Sequence, residues 1–147
     1  MANGVYNRGK YLLATGTNLG TANLYLALVK SDYTYEANNN HFSDLSANEI
    51  SVSGYTANGI ALTNKAVVED DTNGFAFLYA NNVEFGPTLA SGQTVGGAVL
   101  YIGAASAATS QVVAFYDLTD TPTNGGSITV NWAANSAGSV LKLSNPA

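Results

Sequence analysis

The chain is 147 residues long, 46% hydrophobic and only 10% charged, with a net charge of −5 and no cysteine. Disorder is excluded, because disordered chains combine low hydrophobicity with high charge, and so is a fold held by disulfides or by thiolate-ligated metal. Five basic residues on an acidic chain argue against a nucleic-acid partner, whose affinity comes mainly from neutralised phosphates.

This is one domain's length, enough to bury roughly two thirds of the surface that the unfolded chain exposes. No apolar run is long enough to span a bilayer, and the N-terminal apolar stretch is too short for a signal-peptide core. The chain therefore reads as made and kept in a cytoplasm, with no membrane partner.

Residues 4–14 carry Val5, Leu12 and Leu13, with Gly16 as a C′ stop, and predict a short helix weakened by Asn7 and Gly9. Residues 1–16 are set apart as an N-terminal arm or short helix, and residues 17–147 as a β-sandwich domain. The first segment reads either as an arm reaching a neighbouring subunit or as a lid on its own sheet, the lid being slightly preferred. Residues 23–30, NLYLALVK, are apolar on both faces and predict a fully buried strand. In the following loop, SDYTYEANNNH, Tyr33 and Tyr35 precede the asparagine run 38–40. It suits a contact surface and a loop lying on the sandwich edge equally well.

Residues 41–62, HFSDLSANEISVSGYTANGIAL, form the central stretch. Ser43 or Asp44 is placed to cap a short helical turn over 46–49, and Gly54 and Gly59, with Asn58, predict two bends at positive φ. The acidic segment EDDTNG at 69–74 superficially resembles a calcium loop but lacks the alternate ligands and the distant bidentate carboxylate. Asn73-Gly74 between apolar runs predicts a hairpin instead.

Aromatic strands are expected over 75–80 and 83–85, with a bulge or bend at Asn81-Asn82 and an end at Pro87. Residues 91–97 read as a loose connection, AVLYI at 98–102 as a central strand, VVAFYDL at 112–118 as its return and 119–126 as another turn. Ile128, Val130 and Trp132 share one strand face, so Trp132 is expected to be buried or half-buried. Val140, Leu141 and Leu143 make the last strand, before Pro146. The whole predicts an all-β chain, a single β-sandwich or jelly-roll-like domain with one or two short helices.

Catalytic patterns are missing. The single histidine, His41, stands two residues from Ser43 and three from Asp44, too close within a local turn for a triad. There is no nucleophile elbow, no phosphate-binding loop and no zinc ligand set. Asp70 with Asp71, and Asp117 with Asp120, fall at expected turns and read as solvated acids. We expect no enzyme activity, cofactor or metal.

NLYLALVKSDYTY running into FSDLSANEISVSGYTANGIAL, and later GGAVLYIGA and QVVAFYDL, resembles small virion structural proteins of tailed bacteriophages. The resemblance extends from about Tyr6 to the final strand. Its most specific part is Phe42, Asp44, Glu49, Ser53-Gly54-Tyr55-Thr56 and Gly59, followed by Ala98-Val99-Leu100-Tyr101, with Asn58 where a second glycine is expected. It implies a non-enzymatic particle component, foremost a capsid decoration or cement protein on the outer surface of the shell in the virion. The implied partner is the major capsid protein, engaged by a homo-oligomer, trimer or dimer. A tail or neck component and a carbohydrate-binding module are the alternatives. The expected interface comprises Tyr6, Arg8 and Tyr11 of the first segment with Tyr33, Tyr35, Asn39, His41 and Phe42 of the loop, where tyrosines are frequent and charges few.

Overall fold

Strands that are apolar on both sides need cover on both sides, and this requirement organises the computed structural model, which describes residues 2–132 and 140–144. In chain order the elements are β1 (Gly4–Val5), α1 (Asn7–Ala14), β2 (Leu24–Lys30), β3 (Ile60–Ala61), β4 (Ala66–Asp70) and β5 (Phe75–Tyr79). β6 (Val83–Phe85), β7 (Thr94–Ile102), β8 (Gln111–Pro122), β9 (Ile128–Val130) and β10 (Leu141–Ser144) follow. They pair in a five-stranded sheet of order β1-β8-β7-β2-β3, a three-stranded sheet β10-β5-β4 and a two-stranded sheet β6-β9, antiparallel throughout. The fold is mainly β and sandwich-like, as the alternation predicts.

β2 and β7 form the centre, with Leu26 opposite Leu100 and Ala27 opposite Val99. On one face of this sheet Leu24, Leu26, Leu28, Ala98 and Leu100 pack with Leu78, Val83, Phe85 and Val130 of the two smaller sheets. On the other face Ala27, Val29, Val99, Val112 and Phe115 are covered not by strands but by Tyr6, Tyr33, Phe42 and Leu45. The loop after β2 is thus the second layer of the core. Two short 3-10 turns, Phe42–Asp44 and Ser46–Asn48, carry it across, in place of the single capped turn expected over 46–49. Asp44 does cap, accepting from the Asn40 and His41 amides at 2.8 and 2.9 Å, and these bonds hold its carboxyl below the usual range.

The N-terminal segment is the lid rather than the arm. β1 pairs with β8, the Tyr6 amide donates to the Val113 carbonyl at 3.0 Å, and α1 lies against β8. A Cβ on Gly9 would stand 2.3 Å from the Val113 oxygen, so the residue that weakens the helix locally is what lets it approach the strand. The helix ends as expected, with the Thr17 amide on the Leu12 carbonyl, the Gly16 amide on the Leu13 carbonyl and Gly16 at φ 92°.

Two expected loops are strand. β7 starts at Thr94 and β8 runs on to Pro122, because Thr94 pairs with Pro122 and Val95 with Thr121. Long-range pairing overrides the weak local propensity of small and polar residues there. The hairpin at 69–74 forms, with Asp70 opposite Phe75 and the Gly74 amide on the Asp70 carbonyl at 2.8 Å. The Asp70 carboxylate accepts from the Asn73 side chain at 2.9 Å and its amide at 3.0 Å, which keeps its carboxyl below the usual range. The chain leaves the small sheet after Tyr79, and Val83 begins a different sheet, so Asn81-Asn82 marks a bend. β9 stops at Val130, and Trp132 is half-buried with its ring edge-on to Tyr116 at 5.1 Å. The last strand forms on β5, and Pro146 lies outside the described residues.

Candidate functional site

Three of the eight residues expected at an interface are part of the core. Tyr6 is fully buried, and its hydroxyl lies 2.9 Å from that of Tyr33, which is 6% exposed. Phe42, also buried, stacks on Tyr101 with ring centres 4.4 Å apart. These three side chains present almost no area to a partner, which corrects the expectation for them. Tyr35 is half-buried, stacked on Phe115 at 5.6 Å and donating to the Val5 carbonyl at 3.0 Å. Asn39 and His41 are half-buried too. The Asn39 side chain donates to the Tyr33 hydroxyl at 3.3 Å, and His41 forms an isolated bridge to Gln111. The exception is on α1, where Tyr11 is 58% exposed under the Arg8 guanidinium, 5.4 Å from its ring centre. The signal for this arrangement was NLYLALVK itself: a strand apolar on both faces needs a second cover, and the adjacent aromatic loop supplies it.

The central stretch also serves the large sheet. Gly54 and Gly59 have φ of 90° and 76°, with Asn58 at 68°, and the double bend between them brings Tyr55 to the edge of β2. The Tyr55 hydroxyl accepts from the Leu28 amide at 3.0 Å and donates to Glu49 Oε1 at 2.8 Å, while the Tyr101 hydroxyl donates to the Asn58 carbonyl. Burial raises the Glu49 carboxyl above its ordinary value, opposed in part by the Tyr55 hydrogen bond. Burial, then the Glu49 charge, also raises the Tyr55 and Tyr101 hydroxyls. The cluster is a hydrogen-bonded brace containing no nucleophile, base and orienting group in series.

The brace has a pH signature. Because the folded state holds the Glu49 proton more tightly than the unfolded chain does, the stability this group contributes is fully present below its ordinary value of 4.5. It is lost as pH rises through the raised folded value. Glu49→Gln, which keeps an acceptor for Tyr55, is expected to melt like the wild type in acid and above it at neutral pH. Asp44 and Asp70 act in the opposite sense, but equally in both proteins. Melting curves across the acid range check this, and a variant that melts below the wild type at neutral pH contradicts it.

Among the described residues the large apolar side chains left exposed are Tyr11, Val67, Val68 and Leu143, three of them on the small sheet β10-β5-β4. Val68, Phe77 and Lys142 lie in one cross-strand row, beside which Phe75 carries the Lys142 ammonium 3.9 Å above its ring. Val67, Leu78 and Leu141 occupy the next row, so this sheet is apolar on both faces. A separate cleft of about 620 Å3 runs between β8, β9 and β10, with Asp117, Asn131 and Trp132 in its lining. No group of acidic or histidine side chains able to hold a metal occurs among the described residues. No protein-family model, curated protein or solved structure matches the chain.

Proposed function

We propose that this protein is a non-enzymatic structural component of a tailed-phage particle, a decoration protein that attaches to the major capsid protein on the outer surface of the shell. The observation that supports this reading is the exposed apolar surface of the small sheet, on a chain with few charges and no catalytic constellation among its described residues. Contiguous exposed apolar side chains are the usual mark of a contact surface. The contact assigned to the loop in the sequence passes to Val67 and Leu143, which share one face of the small sheet, with Tyr11 and Arg8 on α1 as a second point. Attachment then works by area: weak contacts become firm when several copies engage a symmetric shell at once. A tail or neck location uses the same chemistry.

Incubating undecorated shells with the protein and sedimenting them tests the proposal. Wild type is expected to co-sediment, and Leu143→Asp, whose parent residue is 54% exposed, is expected to remain folded and stay in the supernatant. Wild-type protein that binds tail tubes and not shells moves the site to the tail. Protein that binds neither and retains a glycan points to the 620 Å3 cleft beside Trp132 and a carbohydrate-binding role.

A further inference from the structure

Open sheet edges recruit other chains, and this fold closes those of its large sheet. The large sheet ends on β1 and β3, two residues each and too short to act as templates. Beyond β3 the Leu28 amide is taken by the Tyr55 hydroxyl and the Leu28 carbonyl by the Ile50 amide. Beyond β1 the Asp117 amide donates to the Asn3 side chain. β4 differs. It is five residues long, it ends its sheet, and no strand among the described residues pairs with its outer edge. Its residues include no proline and its register with β5 has no bulge, two of the devices that ordinarily blunt an edge. Val67 and Val68 are 52% and 37% exposed. Gly20 of the same chain packs against Val67, where an added Cβ would stand 3.5 Å from the valine nitrogen and Cγ2, and presents only backbone there.

The sequence along this edge is complementary to itself. In Lys65-Ala66-Val67-Val68-Glu69 a basic end and an acidic end flank an apolar centre. Paired antiparallel about a two-fold axis at Val67, Lys65 of each copy faces Glu69 of the other, Ala66 faces Val68, and Val67 faces itself. Lys65, Val67 and Glu69 fall on one face because side chains alternate along a strand, so the charge pairs and the central valines share that face. Opposite charges and apolar pairs placed directly across a ladder stabilise it. Moving the axis to Val68 sets Val67 against Glu69 and Ala66 against Asp70. Moving it to Glu69 sets two glutamates face to face. The register at Val67 alone among these matches every pair, and it uses one of only five basic residues in the chain.

We infer that two copies of this chain join along β4, antiparallel about a two-fold axis at Val67, so that two three-stranded sheets become one of six strands. The union places the Val68, Phe75 and Phe77 surfaces of both copies side by side. A five-residue ladder is a small interface, so the dimer forms reversibly and in a concentration-dependent way. The inference concerns the isolated chain and stands or falls apart from the phage reading.

Sedimentation velocity of the full chain over a concentration series tests it without shells. A reversible dimer is expected. Glu69→Lys sets two lysines opposite each other at both ends of the ladder and is expected to weaken dimerisation about tenfold or more. Lys65→Glu acts likewise through paired glutamates. The double exchange is expected to restore the dimer, and mixing the two single variants is expected to give heterodimers. Val67→Lys, at an exposed position on the axis, is expected to give a folded monomer with an unchanged melting temperature. Should Lys65→Glu fail to fold, the two exposed-site variants carry the test. A wild-type chain that stays monomeric throughout, an oligomer of another size, or a dimer whose affinity Glu69→Lys leaves unmoved overturns the inference.

Discussion

Replacing Tyr6 with alanine is expected to destabilise the domain by about 3–5 kcal/mol, the usual cost of emptying a buried aromatic site. For a chain of this length that lowers the melting temperature by about 10 °C. The side chain is fully buried, tilted against Tyr35 with ring centres 5.0 Å apart, and its hydroxyl is bonded to that of Tyr33. Tyr6→Phe keeps the ring and loses one hydrogen bond, and is expected to cost about 1 kcal/mol. Thermal or denaturant unfolding of both variants separates packing from hydrogen bonding. An alanine variant as stable as the wild type would return the first sixteen residues to the role of a detachable arm.

Gly59→Ala is the second substitution expected to be severe. The residue is held at φ 76°, a conformation that costs an ordinary residue roughly 1–2 kcal/mol. A Cβ would also stand 2.0 Å from the Leu26 carbonyl oxygen and 2.8 Å from the Ala27 Cα, both in the backbone of β2. Relief requires moving a central strand, which carries the total above about 3 kcal/mol. Gly74 supplies the control: its φ of 72° is nearly the same, but nothing lies within 4 Å of an added Cβ. Gly74→Ala is therefore expected to cost only the conformational part, about 1–2 kcal/mol. Equal losses in the two variants would show that contact with β2 is not what fixes glycine at position 59.

How far the fold was legible follows from the range of the forces involved. NLYLALVK and AVLYI read as buried strands because apolar residues on both faces leave no other place for them, and β2 and β7 are the paired centre of the sheet. The hairpin at 69–74, the bends at Gly54 and Gly59 and the stop at Gly16 were legible too, since each is set by a few adjacent residues. Thr94 and Pro122 were read as turn residues because what makes them strand is each other, across 28 positions.

Tyr6, Tyr33 and Phe42, expected at a contact surface, are buried for a related reason. Tyrosine and asparagine over 33–42 have the composition of an interface, and the same composition suits a loop that closes a sheet face with its rings and ties itself down with its amides. Only the count of faces needing cover distinguishes the two, and that count depends on the sheet order. In the sequence Val67 and Val68 read only as the apolar run before the hairpin at 69–74. Their exposure follows from β4 being at the end of its sheet, a property of topology.

Hydrogen exchange of the protein free and bound to undecorated shells tests the central assignment most directly. Binding is expected to slow exchange in β4, β5 and β10 and around Tyr11, and to leave residues 33–42 unchanged, since their rings are already committed to the core. New protection confined to residues 33–42, with the small sheet exchanging as in the free protein, would contradict the account.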